Sequence, residues 1–182
     1  MKATGIVRRI DDLGRVVVPK EIRRTLHIRE GDPLEIFTDR EGGIVLRKYS
    51  PIGELSGFAK QYAEALAQAS GHIVSITDRD QHIAVSGHGR KELLGKPVSE
   101  TLEKTIGQRS AVCCQSKDKA FVPLLQDEDM DFKAQVIYPI IAEGDAVGSV
   151  IITSRSEGVK MGEVEQKLAS AAASFLGRQM EQ

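Results

Sequence analysis

The first fifty residues set the tightest constraint on this chain, because they carry more apolar side chain than so short a segment can cover. Thr4 to Ile10 leans toward strand, Asp11-Asp12-Leu13-Gly14 reads as a turn, and Arg15-Val16-Val17-Val18 is a β-branched run. Pro19 closes that run and opens a short helix through about Leu26, since the missing N–H is not needed at a first helical position. Leu34–Phe37 and Ile44–Leu46 then flank Thr38-Asp39-Arg40-Glu41-Gly42-Gly43 as two further strands. A domain near 60 residues is already marginal alone. Ile6, Val7, Val16, Val18, Ile22, Leu26, Leu34, Ile36, Ile44 and Leu46 therefore need a second layer, and a partner chain is its simplest source.

Tyr49-Ser50-Pro51-Ile52-Gly53 ends this segment, with Pro51 biasing Ser50 away from helix and Gly53 adding freedom. The expected organisation is a head over 1–50, a linker over 51–55 and a body over 56–182. Charge divides at the same place. The whole chain has 25 Lys+Arg against 26 Asp+Glu, a net of −1 that by itself argues for no anionic partner. Split by position, the head has eleven cations against eight acids and the body fourteen against eighteen, so +3 and −4 hide within the total.

Within the head, Lys20, Arg23 and Arg24 fall at i, i+3 and i+4 and share one face of the short helix. Arg15 stands at the mouth of the loop leading into it, and Arg8 and Arg9 would point to opposite faces of their strand. Arg8, Arg9, Arg15, Lys20, Arg23 and Arg24 thus form one candidate cationic surface, and double-stranded DNA is the partner that the resemblance given below implies for it. The competing reading is a solvated face with salt bridges to Asp11, Asp12 and Glu21. Each neutralised phosphate contributes about −0.9 to the slope of log affinity against log salt, so the arginines of a paired head imply a slope of roughly −4 to −7. Arginine can also read guanine bidentately. Spacing does not separate base readers from phosphate holders.

The run Thr4-Gly5-Ile6-Val7-Arg8-Arg9-Ile10-Asp11-Asp12-Leu13-Gly14-Arg15-Val16-Val17-Val18-Pro19, followed by Glu21-Ile22-Arg23-Arg24-Thr25-Leu26, resembles the AbrB-type transition-state regulator DNA-binding domain. The resemblance covers about residues 1–50. It implies a mostly-β, swapped-hairpin head in which two chains exchange hairpins, and binding of duplex DNA through arginines with loose sequence preference. The positions that match the family's arginines are Arg8, Arg15, Arg23 and Arg24.

The body begins and ends on amphipathic helices. Leu55, Phe58, Tyr62, Leu66 and Ala69 recur at spacings of three and four, as do Val164, Leu168, Ala171, Ala172, Phe175 and Leu176 within about Gly162 to Met180. Between them, His72–Thr77 and His82–Ser86 form a hairpin around Asp78-Arg79-Asp80-Gln81, and a helix over Ser99–Gln108 has Ser99 as N-cap. Ala111–Cys114 and Phe121–Leu125 read as short strands, and Gln135–Ile141 and Ala146–Thr153 as a second hairpin around Glu143-Gly144-Asp145. This α+β order resembles a GAF domain with flanking amphipathic helices. An AbrB-type head on a GAF-like body resembles a family of sporulation regulators. That implies a transcriptional regulator that both activates and represses forespore genes, and a homotetramer whose terminal body helices pack between chains. Such helices, covered on one side by their sheet, can form a bundle across a dimer axis.

No motif in the body indicates catalysis, so the chain is expected not to be an enzyme. Asp127, Asp129 and Asp131 imitate the start of a calcium loop, but Phe132 stands where Gly is needed and Tyr138 where Glu is needed. His72, His82 and His88 lack metal-ligand spacing. No metal or resident cofactor is expected. The body reads equally as a sensor of a small-molecule effector or as a purely structural dimerisation module. Cys113 and Cys114 are adjacent, which suits either a redox pair or, better, two residues of a strand with one in the core.

The longest run free of Asp, Glu, Lys and Arg is the thirteen residues Ala65 to Thr77, short of the roughly 20 that span a bilayer. Charged residues precede any apolar run at the start, unlike a secretory signal. The expectation is a cytoplasmic protein without a membrane partner. The functional expectation is a DNA-binding transcriptional regulator whose body sets oligomeric state and responds to an effector. The alternative is an antitoxin-like interaction module with the same head, against which a folded body of about 130 residues argues.

Overall fold

Asp11 builds the first turn: its Oδ1 accepts the N–H of Leu13 at 3.0 Å and of Arg15 at 2.7 Å, while Gly14 takes a φ of 74° that suits glycine. The computed structural model describes residues 5–88, 90–126 and 130–181. Thr4, Asp127 and Asp129, named above, lie outside them. The chain divides into two units, Met1–Tyr49 and Ser50–Gln182.

In the head, α1 (Lys20–Thr25) starts behind Pro19, and β1 (Leu34–Thr38) pairs antiparallel with β2 (Ile44–Lys48) from Leu34↔Lys48 to Thr38↔Ile44. Asp39 holds their connection, its Oδ1 accepting the N–H groups of Glu41 and Gly43. The strands expected over Thr4–Ile10 and Arg15–Val18 do not form: their described residues lie outside any ladder. A strand exists only through a neighbour, and in a swapped hairpin that neighbour belongs to the second chain. Side-chain exposure agrees. Pro19 alone among the described head residues is buried, and Val7 (88%) and Ile44 (72%) stand almost fully open.

The body is a five-stranded antiparallel sheet in the order β4-β3-β7-β6-β5, built from β3 (Ile73–Asp78), β4 (His82–Ser86), β5 (Val112–Gln115), β6 (Ala134–Ala142) and β7 (Asp145–Ser154). One face is covered by α2 (Pro51–Glu54), α3 (Ser56–Ser70) and α6 (Glu163–Gln179), through Ile52, Ala59, Ala63, Leu66, Ala169, Ala172 and Leu176. The other is covered by α4 (Arg90–Leu93), α5 (Glu100–Gly107) and the segment after β5, through Leu93, Leu102, Ile106, Val122, Leu124 and Phe132.

Residues 51–55, expected as linker, instead form α2 and its end. Ser50 Oγ accepts the N–H of Gly53 and donates to Asp78 Oδ2 at 3.0 Å, and Ile52 is fully buried. Burial pushes the Asp78 carboxyl up, against the N–H groups of Asp80 and Gln81 and the Ser50 hydroxyl that favour its charge.

Phe121–Leu125 is not a strand. Its carbonyls go elsewhere: Pro123 O accepts from Ser99 Oγ, and Leu124 O accepts from Ser99 N and from His82 Nε2. Ser99 caps α5 as expected, its Oγ accepting the N–H of Leu102 at 3.0 Å. His82 is fully buried, with Ser75 Oγ donating to Nδ1 at 2.7 Å.

Burial lowers the His82 pKa from 6.5 to about 4. The unfolded chain therefore gains a proton at a pH where the fold still refuses one. Stability from this group is complete above 6.5 and is lost as pH falls toward 4, by on the order of 3 kcal/mol. The raised Asp78 carboxyl works in the opposite direction. The thermal midpoint should fall between neutral pH and about pH 4.5. His82→Gln should flatten that fall, and an unchanged profile in the variant would assign the acid sensitivity elsewhere.

Candidate nucleic-acid interface

The six cations gather on one stretch of the head, with Arg8, Arg9 and Arg15 on the chain around the Asp11 turn and Lys20, Arg23 and Arg24 on α1. Arg23 is half-buried and the other five are exposed. Arg8 and Arg9 do not alternate as strand residues here, because no strand forms at their positions. None of the six is in an ion pair among the described residues, and the salt bridges to Asp11, Asp12 and Glu21 are not made. Asp11 instead spends its carboxylate on backbone N–H groups.

Lys48 and Arg47, by contrast, are committed internally. Lys48 Nζ lies 3.1 Å from Asp32 and donates to His27 O, while the Arg47 guanidinium sits 5.1 Å from the centre of the Phe37 ring. Burial alone would raise the Asp32 carboxyl, but the Arg29 N–H and Lys48 hold it below the usual range. A contact such as Lys48 with Asp32 crosses the β1–β2 hairpin and has no local spacing to reveal it.

In the body, Cys114 is buried and Cys113 exposed, as successive strand residues should be. Burial raises both thiols, helped by Glu165 at Cys113. Among the described residues no group of three or more His, Cys, Asp or Glu is placed to hold a metal, and no helix is long and apolar enough to cross a membrane. His72 lies 4.0 Å from Glu165, apart from His82 in its buried site.

The body resembles, in fold alone, the GAF domain from Acinetobacter phosphoenolpyruvate-protein phosphotransferase, with 13% identity and a TM-score of 0.58 over 69% of this chain and 81% of that one. The head is 63% identical over 51 residues to the Transition state regulatory protein AbrB of Bacillus subtilis (strain 168), which is 28% of this chain and 52% of AbrB. Residues 7–54 match the family described as antidote-toxin recognition MazE, bacterial antitoxin. A basic AbrB-type head that dimerises, carried on a GAF-fold α+β body, defines a DNA-binding transcriptional regulator.

Residues 54–181 match the family described as Stage V sporulation protein T C-terminal, transcription factor. Over all 182 residues, 100% of both chains, the sequence is 58% identical to Stage V sporulation protein T of Bacillus subtilis (strain 168). The chain belongs to the stage V sporulation protein T family. On that membership it is a sporulation transcription regulator and not an enzyme.

Proposed function

We propose that this chain works in the cytoplasm as a homotetramer on duplex DNA, activating some sporulation genes and repressing others, with its body open to a small-molecule effector. Paired heads would contact DNA through Arg8, Arg9, Arg15, Lys20, Arg23 and Arg24. The observation that carries this reading is that none of the six has an ion-pair partner among the described residues, whereas Lys48 and Arg47 are held within the head. An exposed surface ion pair is worth little, but an uncommitted cation is ready to displace counterions from phosphate.

Tetramer formation is supported by a second open face. Phe58, Tyr62, Ala65 and Ala69 on α3, and Val164, Leu168, Ala171 and Phe175 on α6, each follow the four-then-three spacing of a coiled-coil seam. Phe175 stacks on Phe58 and Tyr62 with ring centres 5.8 and 5.3 Å apart, so the two seams make one surface. Val164 is 65% exposed and Phe175 36%. A second copy's α3 and α6 laid against it would complete a four-helix bundle.

The test substitutes Val164→Asp and Phe175→Asp together and reads mass by light scattering beside gel retardation of duplex DNA. The mass should halve, from four chains to two, with retardation weakened but present. An unchanged mass would remove the helix face from assembly, and no retardation even by the wild-type chain would remove the DNA reading. The antitoxin reading rests on the match over residues 7–54 and predicts a co-purifying toxin.

A further inference from the structure

Arg109 leaves α5 in left-handed backbone, φ 57°, a conformation that long side chains seldom adopt. It lines a cleft of about 440 Å³ together with Tyr138 and Pro139 of β6, Ser174 and Arg178 of α6, and Glu181 just beyond. That volume suits a small metabolite. The wall is fixed closely, since a Cβ on Gly177 would stand 2.1 Å from Ile141 O and only glycine lets α6 approach β6 there.

The charges in this cleft are weakly committed. Arg109 reaches Asp145 at 3.4 Å, but their side chains are 55% and 83% exposed, so the pair is easily displaced. Arg178 is exposed and makes no ion pair among the described residues. Glu181 turns its Oε1 to the Glu143 N–H at 2.9 Å. Two guanidiniums from separate elements thus meet at one concavity in a body whose net charge is −4.

We infer that this cleft binds a small oxyanion, the carboxylate or phosphate group of a metabolite, between the guanidiniums of Arg109 and Arg178. Tyr138 and Ser174 bring hydroxyl groups to the same lining, and Pro139 contributes an apolar wall. The inference deepens the reading of the body as an effector module and rests on it. Ser174 precedes Phe175 in α6, so the ligand would lie beside the face assigned to body pairing.

Calorimetric titration of the full chain with inorganic phosphate, and separately with succinate, at constant ionic strength tests the site. At least one anion should saturate with a Kd of about 1 mM or tighter. Saturation by phosphate alone or by succinate alone supports the site and identifies the source of the oxyanion. Arg109→Gln and Arg178→Gln should each weaken binding by about tenfold or more, the loss of one charge-assisted contact, with the ligand-free thermal midpoint unchanged. No saturation by either anion, or undiminished affinity in both variants, overturns the inference. Mass and DNA retardation on the same samples report separately. A chain that is tetrameric and binds DNA but takes no oxyanion overturns this inference alone.

Discussion

Replacing Arg15 or Arg23 by alanine is expected to abolish gel retardation of duplex DNA while leaving the mass of the assembly unchanged. Each substitution removes two cations from a paired head. A hydrogen bond to a charged group contributes about 1.5–3 kcal/mol, so the paired loss weakens binding by a hundredfold or more. If both side chains hold phosphates, the slope of log affinity against log salt also falls by about 2. A base-reading arginine would lower affinity and relax sequence preference with little change in slope. Arg40, exposed in the β1–β2 turn, supplies the control, and Arg40→Ala should stay near wild type. Intact retardation in both variants would place the DNA interface elsewhere on the head.

Gly148→Ala should be the most damaging single methyl in the body. Gly148 lies on β7 opposite Asp78, and a Cβ there would stand 2.0 Å from Thr77 O and 3.1 Å from Asp78 Cα. Both contacts are backbone in the middle of the sheet, so no side chain can rotate away and β3 must move off β7. Overpacking of this kind costs about 3 kcal/mol or more. For a chain of this length that lowers the thermal midpoint by roughly 10 °C. Gly107→Ala is the matched control. Gly107 ends α5 with nothing within 4 Å of the added carbon, so alanine there should be neutral or slightly stabilising. Equal effects at the two positions would refute the close-approach argument.

The body was legible from sequence where the structural cause was local. Both hairpins, the Ser99 cap and the two long helices follow from alternation, a hydroxyl before a helix, and apolar periodicity. The helix faces were less so. Periodicity placed Leu66, Ala172 and Leu176 in the core, but it weights large residues, and the core also takes Ala59, Ala63 and Ala169, whose small size lets α3 and α6 lie close on the sheet. Phe58, Val164 and Phe175 are left outside. Phe121–Leu125 looked like a strand because it is apolar, but its carbonyls are claimed by Ser99 and His82, partners distant in sequence.

In the head, the limit was of another kind. The β-leaning runs before Pro19 were recognised, but a ladder shared between chains is not a property of one chain. The candidate cations were legible because i, i+3 and i+4 put three of them on one helix. Which cations the head spends on itself depended on tertiary pairs, Lys48 with Asp32 and Arg47 with Phe37, that no spacing encodes.

The sheet order has a kinetic consequence. β3 lies between β4, which follows it at once, and β7, whose Thr153 pairs with Ile73 across most of the body sequence. Such non-local pairing must close a long loop before it is rewarded, and it slows folding. α3 waits in the same way for α6, the last element of its face. The β1–β2 hairpin, by contrast, closes over a few residues. Refolding should therefore show a slow phase belonging to the body, during which the β3–β4 hairpin presents an open edge able to recruit a neighbouring chain. In this molecule the interval before the C-terminal strand and helix dock is the time of greatest aggregation risk.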